Sequence, residues 1–198
     1  QIKESDYSTK SRVCFCDIEV DDSQGFPDQE DAEREVTCIT VYDNYVEDYI
    51  VYLYHPDLPE VSHDIAEVRV FDTEARMLRE FSNYIITRDF DAITGWNFTD
   101  FDSRYLINRL DNLSDKEDCV DVTKSDLSNL DSAYDDGWFG AKIKGMSVVD
   151  LLRAYQNLQF SELDSYSLED VAQEELGTGK ITDNRDLHVL YEEDPQKL

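Results

Sequence analysis

The stretch "VCFCDIEVDD", residues 13–22, decides how this chain is read. Val13, Phe15, Ile18 and Val20 are branched or aromatic and two cysteines sit among them, so the run is a strand made for burial. Yet it carries Asp17 and Glu19. In a strand, residues i and i+2 point to the same face, so these two carboxylates project side by side. Two carboxylates in one small volume repel, and one is pushed towards protonation unless a cation neutralises them. The stretch therefore implies a cation.

The rest of the composition says what surrounds it. A chain of 198 residues with 40% apolar and 12% aromatic side chains is long and hydrophobic enough to bury one core, since disordered acidic chains are poor in aromatics. The charge is the outlier: 46 Asp and Glu against 18 Lys and Arg give a net charge of −28, spread through nearly every block of ten. Such a spread is like the acid coats of proteins from salt-loving organisms, where concentrated salt screens self-repulsion. Lys supplies only eight of the cations, which agrees with that reading. Cys14, Cys16, Cys38 and Cys119 show no C-x2-C spacing, which argues against zinc and predicts reduced, buried thiols in a reducing, cytoplasmic compartment. No apolar run approaches the ~18 residues that span a bilayer, and no secretory signal opens the chain, so no membrane role is expected. His55, His63 and His188 lie in polar contexts and are expected at the surface.

Periodicity orders the elements. "SRVCFCDIEV" reads as a first strand, "EVTCITVYD" and "DYIVYLYH" as a hairpin closed by "DNYVE", and "AEVRVFD" as a further strand. From Thr73 the period becomes helical through Met77, Leu78, Phe81 and Ile85, with Asp72 or Thr73 as cap. The strand "DAITGW" follows, then a helix from about Thr99 with Tyr105, Leu106 and Leu110 on one stripe. "AKIKGMSVVD" reads as a short hairpin turning at Gly145, "DLLRAYQNL" as a helix, and "SLEDVAQEEL" as a helix capped by Ser167 and ended by Gly177. Segment 111–140 is the loosest. The expected class is α/β, a mixed sheet flanked by helices.

A second constellation is "ITGWNFTDFDSRYLINR", residues 93–109, where a strand ends at Trp96, Asn97 leaves its C-terminal edge and Asp102 falls in the next helix's first turn. Sites in open α/β sheets gather at such strand ends, and Asp102 faces Asp17 and Glu19 if the two strands are neighbours. Each piece alone is weak, because an Asp in a first turn is more often stabilising the helix dipole. Together, D-I-E after an apolar strand, G-F-P downstream and G-W-N-x3-F-D some eighty residues later form an ordered set.

In that set the chain resembles the proofreading 3′–5′ exonuclease domain of family B DNA polymerases, of the DEDD superfamily with a ribonuclease H-like fold. "FCDIEV" matches the first motif, "ITGWNFTDFDSRYL" the second, and "LDSYSLEDVAQEELGTGK" the helix before the third. The resemblance implies that Asp17 is shared by two divalent ions, Mg2+ or Mn2+, that Glu19 binds one of them, and that Asp102 holds the second. It makes Asn97 and Phe101 shape the pocket for the 3′-terminal nucleotide of single-stranded DNA, and makes the partner the remainder of a family B polymerase engaged in DNA replication. The acid coat adds the expectation of a haloarchaeal source.

The third motif is Tyr-x3-Asp, whereas Tyr191 and Asp194 in "YEED" are three apart and Asp194-Pro195 reads as a helix start. Residues 1–198 are therefore expected to be a single exonuclease domain, a fragment whose third-motif tyrosine and aspartate lie beyond Leu198 and whose own activity is weak. "DGWFGAKIKG", with Trp138, Phe139, Lys142 and Lys144, is a candidate strand contact or a plain hairpin. The competing readings are a free-standing nuclease of the same superfamily and a non-catalytic domain that supports a polymerase.

Overall fold

A computed structural model describes residues 10–114, 122–137, 140–159, 163–179 and 187–193. Cys119, Trp138, Phe139, Asp194 and Pro195 lie outside the described residues.

The first strand, β1 (Val13–Val20), alternates as its sequence requires: Cys14, Cys16, Ile18 and Val20 are buried while Phe15 and Asp17 are exposed. The hairpin β2 (Val36–Asp43) and β3 (Asp48–Tyr54) pairs antiparallel, with β2 also antiparallel to β1. Strand β4 (Ala66–Phe71) lies parallel to β3 on the outer edge. Helix α1 (Glu74–Arg88) starts where Thr73 accepts the Arg76 N–H and ends at Asp89 in the left-handed conformation, crossing the sheet to β5 (Ala92–Gly95), which pairs parallel to β1. Helix α2 (Asp102–Ser114) follows, then a 3-10 turn (Lys124–Leu127), β6 (Ala133–Asp135), β7 (Ala141–Ile143) and β8 (Ser147–Asp150). Among the described residues three helices follow: α3 (Leu151–Leu158), α4 (Leu168–Leu176) and α5 (Leu187–Glu193).

The main sheet runs β4-β3-β2-β1-β5-β8, mixed because only β2 opposes the rest. This is the α/β arrangement expected, consistent with a ribonuclease H-like fold. Two local readings are corrected. The helix expected from about Thr99 begins at Asp102, because residues 97–101 form a turn in which the N–H groups of Asp100 and Phe101 both donate to the Asn97 carbonyl. The hairpin expected at Gly145 is not one: β7 pairs with β6 in a separate two-stranded sheet, and β8 crosses to pair parallel with β5. Gly145 does turn the chain, at φ +88°.

The core lies between the even face of β1 and helices α1 and α2, with Met77, Leu78, Phe81, Tyr105, Leu106 and Leu110 buried in it. A buried ion pair crosses it. Glu74 accepts from Arg109 Nε and Nη2 at 2.8 and 2.7 Å and from the Val36 N–H at 2.8 Å, while Arg109 Nη1 donates to the Glu33 carbonyl at 2.6 Å. Every polar edge is matched, the condition under which a buried ion pair is tolerated. The pair fixes α2, and so Asp102 at its start, against α1 and the chain entering β2. Cys14, Cys16 and Cys38 are free and buried, and burial pushes all three thiols up, Cys38 to about 12, which makes them packing groups.

Candidate active site

Strands β1, β5 and β8 run in one direction, so Val20, Gly95 and Asp150 mark a common C-terminal edge. A Cβ at Gly95 would come within 2.4 Å of the Cys16 carbonyl oxygen, so glycine lets β5 press against β1 beside Asp17. Pairing between β1 and β5 ends at Phe15 and Thr94. Beyond that point the edge of β1 is taken over by a side chain: Asp102 Oδ1 accepts the Ile18 N–H at 3.1 Å.

Ile18 stands between Asp17 and Glu19, so this hydrogen bond brings the first residue of α2 to the two carboxylates of β1. The electrostatics record the meeting. Asp102 is 4% exposed, and its carboxyl is pushed up to about 8, first by burial, then by the charge of Asp17, with a smaller push from Glu19. Asp17 is exposed and Glu19 half-buried on the odd face of β1. Among the described residues no group of three or more His, Cys, Asp or Glu is drawn together as a metal cage. The donor chemistry nevertheless fits a hard divalent cation, because all the donors are carboxylate oxygens and their mutual repulsion is what such an ion relieves.

Asn97 and Phe101 bracket the turn between β5 and α2. Asn97 is half-buried at φ +58°, in the left-handed region where asparagine is tolerated. Phe101 packs between Tyr105, at 5.6 Å between ring centroids, and Phe26, at 5.3 Å. Phe26, with no role assigned from sequence, is 84% exposed on the loop after β1. That loop is folded by Arg34, whose guanidinium donates to the carbonyls of Asp21, Gln24 and Gly25. The "GFP" signal marked the loop without indicating that its aromatic reaches Phe101.

Two histidines are less exposed than expected. His188 is half-buried, with its backbone N–H 3.0 Å and its Nδ1 2.8 Å from Asp22 Oδ1, and the half-buried His55 ring lies 5.0 Å from that of Tyr191. Tyr191 donates to the Tyr54 carbonyl at 2.6 Å beside a cavity of about 210 Å3 lined by Val20, Asp21 and Glu35. A larger groove of about 560 Å3 runs along β4 and α1, lined by Glu67, Arg69, Arg76 and Arg79. It sits at the sheet's outer edge, away from the strand ends where the carboxylates gather.

The sequence profile of the family described as "DNA polymerase family B, exonuclease domain" matches residues 1–171. The chain belongs to that family. Its members are 3′–5′ exonuclease modules that use divalent metals, and the first two carboxylate motifs fall within the matched residues. The chain is 30% identical to the DNA-directed DNA polymerase of Enterobacteria phage T4, over 94% of this chain and 23% of that protein. It is 26% identical to that of Escherichia phage RB69, over 96% and 24%, and 31% identical to DNA polymerase II of Escherichia coli K12, over 68% and 17%. The chain thus spans about a quarter, or less, of the length of these curated relatives. Among the described residues no helix is long and apolar enough to cross a membrane.

Proposed function

We propose that this exonuclease domain hydrolyses the 3′-terminal phosphodiester of single-stranded DNA at Asp17, Glu19 and Asp102, within a family B polymerase engaged in replication. The observation that carries the reading is the Asp102 to Ile18 hydrogen bond, which joins the two motifs at the C-terminal edge of the sheet. Asp17 and Glu19 would hold Mg2+ or Mn2+ from β1 and Asp102 from α2. When bound, such ions acidify a water and stabilise the leaving oxygen of a phosphodiester.

The chain's own residues do the positioning. Asp102, with its carboxyl at about 8, holds a proton at neutral pH until a cation takes its place. Phe101, next to Asp102 in the chain, and the exposed Phe26 packed against it at a tilt offer an aromatic surface, and stacking of a base on such a surface contributes ~1–3 kcal/mol without regard to sequence, as a proofreader requires. Such stacking also helps a chain of net charge −28 to hold a strand, since phosphate binding otherwise depends on Lys and Arg. Asn97, at the turn, would contact the terminal nucleotide.

Tyr191 is engaged with Tyr54 and His55, which supports placing the third-motif tyrosine elsewhere than at Tyr191. The acid coat supports a further proposal, that the domain works in concentrated salt. At 1 M salt the Debye length is ~3 Å, so the surface charges no longer repel over distance.

The test is hydrolysis of a 5′-labelled single strand with Mg2+ or Mn2+, in a polymerase carrying this domain. Asp17→Ala should lower the rate on the order of a thousandfold or more, the loss of several kcal/mol of metal-borne stabilisation. Retained hydrolysis would overturn the assignment. A rate unaffected by chelation would instead favour a domain with no metal chemistry.

A further inference from the structure

Asp150, the last residue of β8, lies in register beside Gly95, where β5 runs out into the turn that leads to Asp102. Its carboxylate takes four donors. Oδ1 accepts the N–H groups of Leu152 and Arg153 at 2.9 and 3.2 Å, which caps α3. Oδ2 faces the other way and accepts both the N–H and the hydroxyl of Thr99, at 2.8 and 2.9 Å. Asp150 and Thr99 are each 6% exposed. A cap alone needs one oxygen, and Ser or Asn supplies it; the second oxygen is used on the turn.

That turn requires an external hold. It begins at Asn97 with φ +58°, the left-handed region that asparagine tolerates better than most residues but still occupies at some cost. Thr99 is its middle, and the backbone of Gly140 packs so closely on the Thr99 carbonyl that a Cβ there would come within 2.5 Å of that oxygen. Downstream, the Ser103 N–H and hydroxyl both donate to the Phe98 carbonyl, at 2.9 and 2.7 Å. Thr99, in the middle of the turn, is thus held by Asp150 and closely packed by the Gly140 backbone, and the turn leads directly to Asp102.

We propose that Asp150 is a positioning residue of the exonuclease site: through Thr99 it sets the turn that delivers the Asp102 carboxylate to the Ile18 N–H between Asp17 and Glu19. It touches neither substrate nor metal. The inference rests on the reading of Asp17, Glu19 and Asp102 as the site, but it predicts a structural signal independent of it, the protection of one amide.

The experiment measures amide hydrogen exchange at Ile18 and Mn2+ binding by calorimetry in the 198-residue chain. Three variants are compared: Asp150→Asn, which keeps an oxygen for the cap and turns an amide NH2 towards Thr99; Thr99→Val, which removes the hydroxyl donor and leaves the cap intact; and Thr99→Ser, which restores the donor. Asp150→Asn is expected to speed Ile18 exchange at least about tenfold and to weaken Mn2+ binding several-fold. Thr99→Val should do the same to a smaller degree. Thr99→Ser should match the unaltered chain, and the amides of β3 should not change in any of them. Ile18 exchange unaltered in Thr99→Val overturns the proposal, whether or not Asp150→Asn folds. If the unaltered chain binds no Mn2+, Ile18 exchange still decides the role of Asp150, and the carboxylate-site reading is decided by the Asp17→Ala hydrolysis test in a polymerase carrying this domain.

Discussion

Two buried carboxylates flank β1 at opposite ends, and they have opposite surroundings. Asp43, 0% exposed and opposite Cys14, takes Arg12 as an ion-pair partner, the Tyr84 hydroxyl at 3.0 Å and the Tyr45 N–H at 2.9 Å. Burial works to raise it, yet Arg12 and these donors hold its carboxyl below the usual range. Asp102, 4% exposed near Ile18, has the Ile18 N–H and the charges of Asp17 and Glu19 beside it, and is pushed up to about 8. Similar burial therefore yields a carboxylate held ionised at one end and one pushed towards protonation at the other, and the difference is the sign of the neighbouring charge.

Removing the partner charge at the Asp43 end should have the largest effect on folding. Arg12→Ala leaves Asp43 buried without its cation and should destabilise the chain by roughly 3 kcal/mol in urea unfolding. A loss below about 0.5 kcal/mol would mean that Tyr84 and Tyr45 suffice. At the Asp102 end the sign reverses. Asp102→Asn keeps an oxygen for Ile18 and removes a buried charge repelled by Asp17 and Glu19, so the metal-free variant should gain roughly 1 kcal/mol at pH 8. A destabilised variant would break the comparison.

The same contrast governs pH. Asp43 has a depressed carboxyl, so its contribution is present above the unfolded value near 4 and is lost as pH falls through its folded value. Asp102 is raised, so the folded chain binds the extra proton between about 4 and about 8 and stability falls as pH rises through that window. Thermal unfolding without divalent ions should show the second slope in the unaltered chain and a shallower one in Asp102→Asn. Saturating Mn2+ should flatten it. The smallest effect lies outside the comparison: Thr73→Ala removes the α1 cap and should cost about 1 kcal/mol without altering either slope.

What could be read from the sequence follows the range of the physics involved. The alternation of β1 is local, so the buried face of Cys14, Cys16, Ile18 and Val20 and the opposite face of Asp17 and Glu19 were both legible from residues 13–20 alone. The Ser167 cap was legible for the same reason, and the α1 cap to within Asp72 or Thr73, since each cap acts on a donor three residues away. Three-residue strands were not. Nothing within β7 says whether it folds back on β8 or joins β6, because its few ladder bonds gain little from either and the packing on α2 decides.

The site divides along the same line. Sequence by itself determined that the chain is α/β, that carboxylates pair on one strand and that a third stands at a helix start, because period and capping act over a few residues. Only the tertiary structure decided that Asp102 closes onto Ile18, that Phe26 meets Phe101 and that Asp150 holds Thr99. These contacts join residues 51 to 84 positions apart by sequence number, and burial, the like charge of Asp17 and the close approach at Gly95 act only once the strands lie side by side.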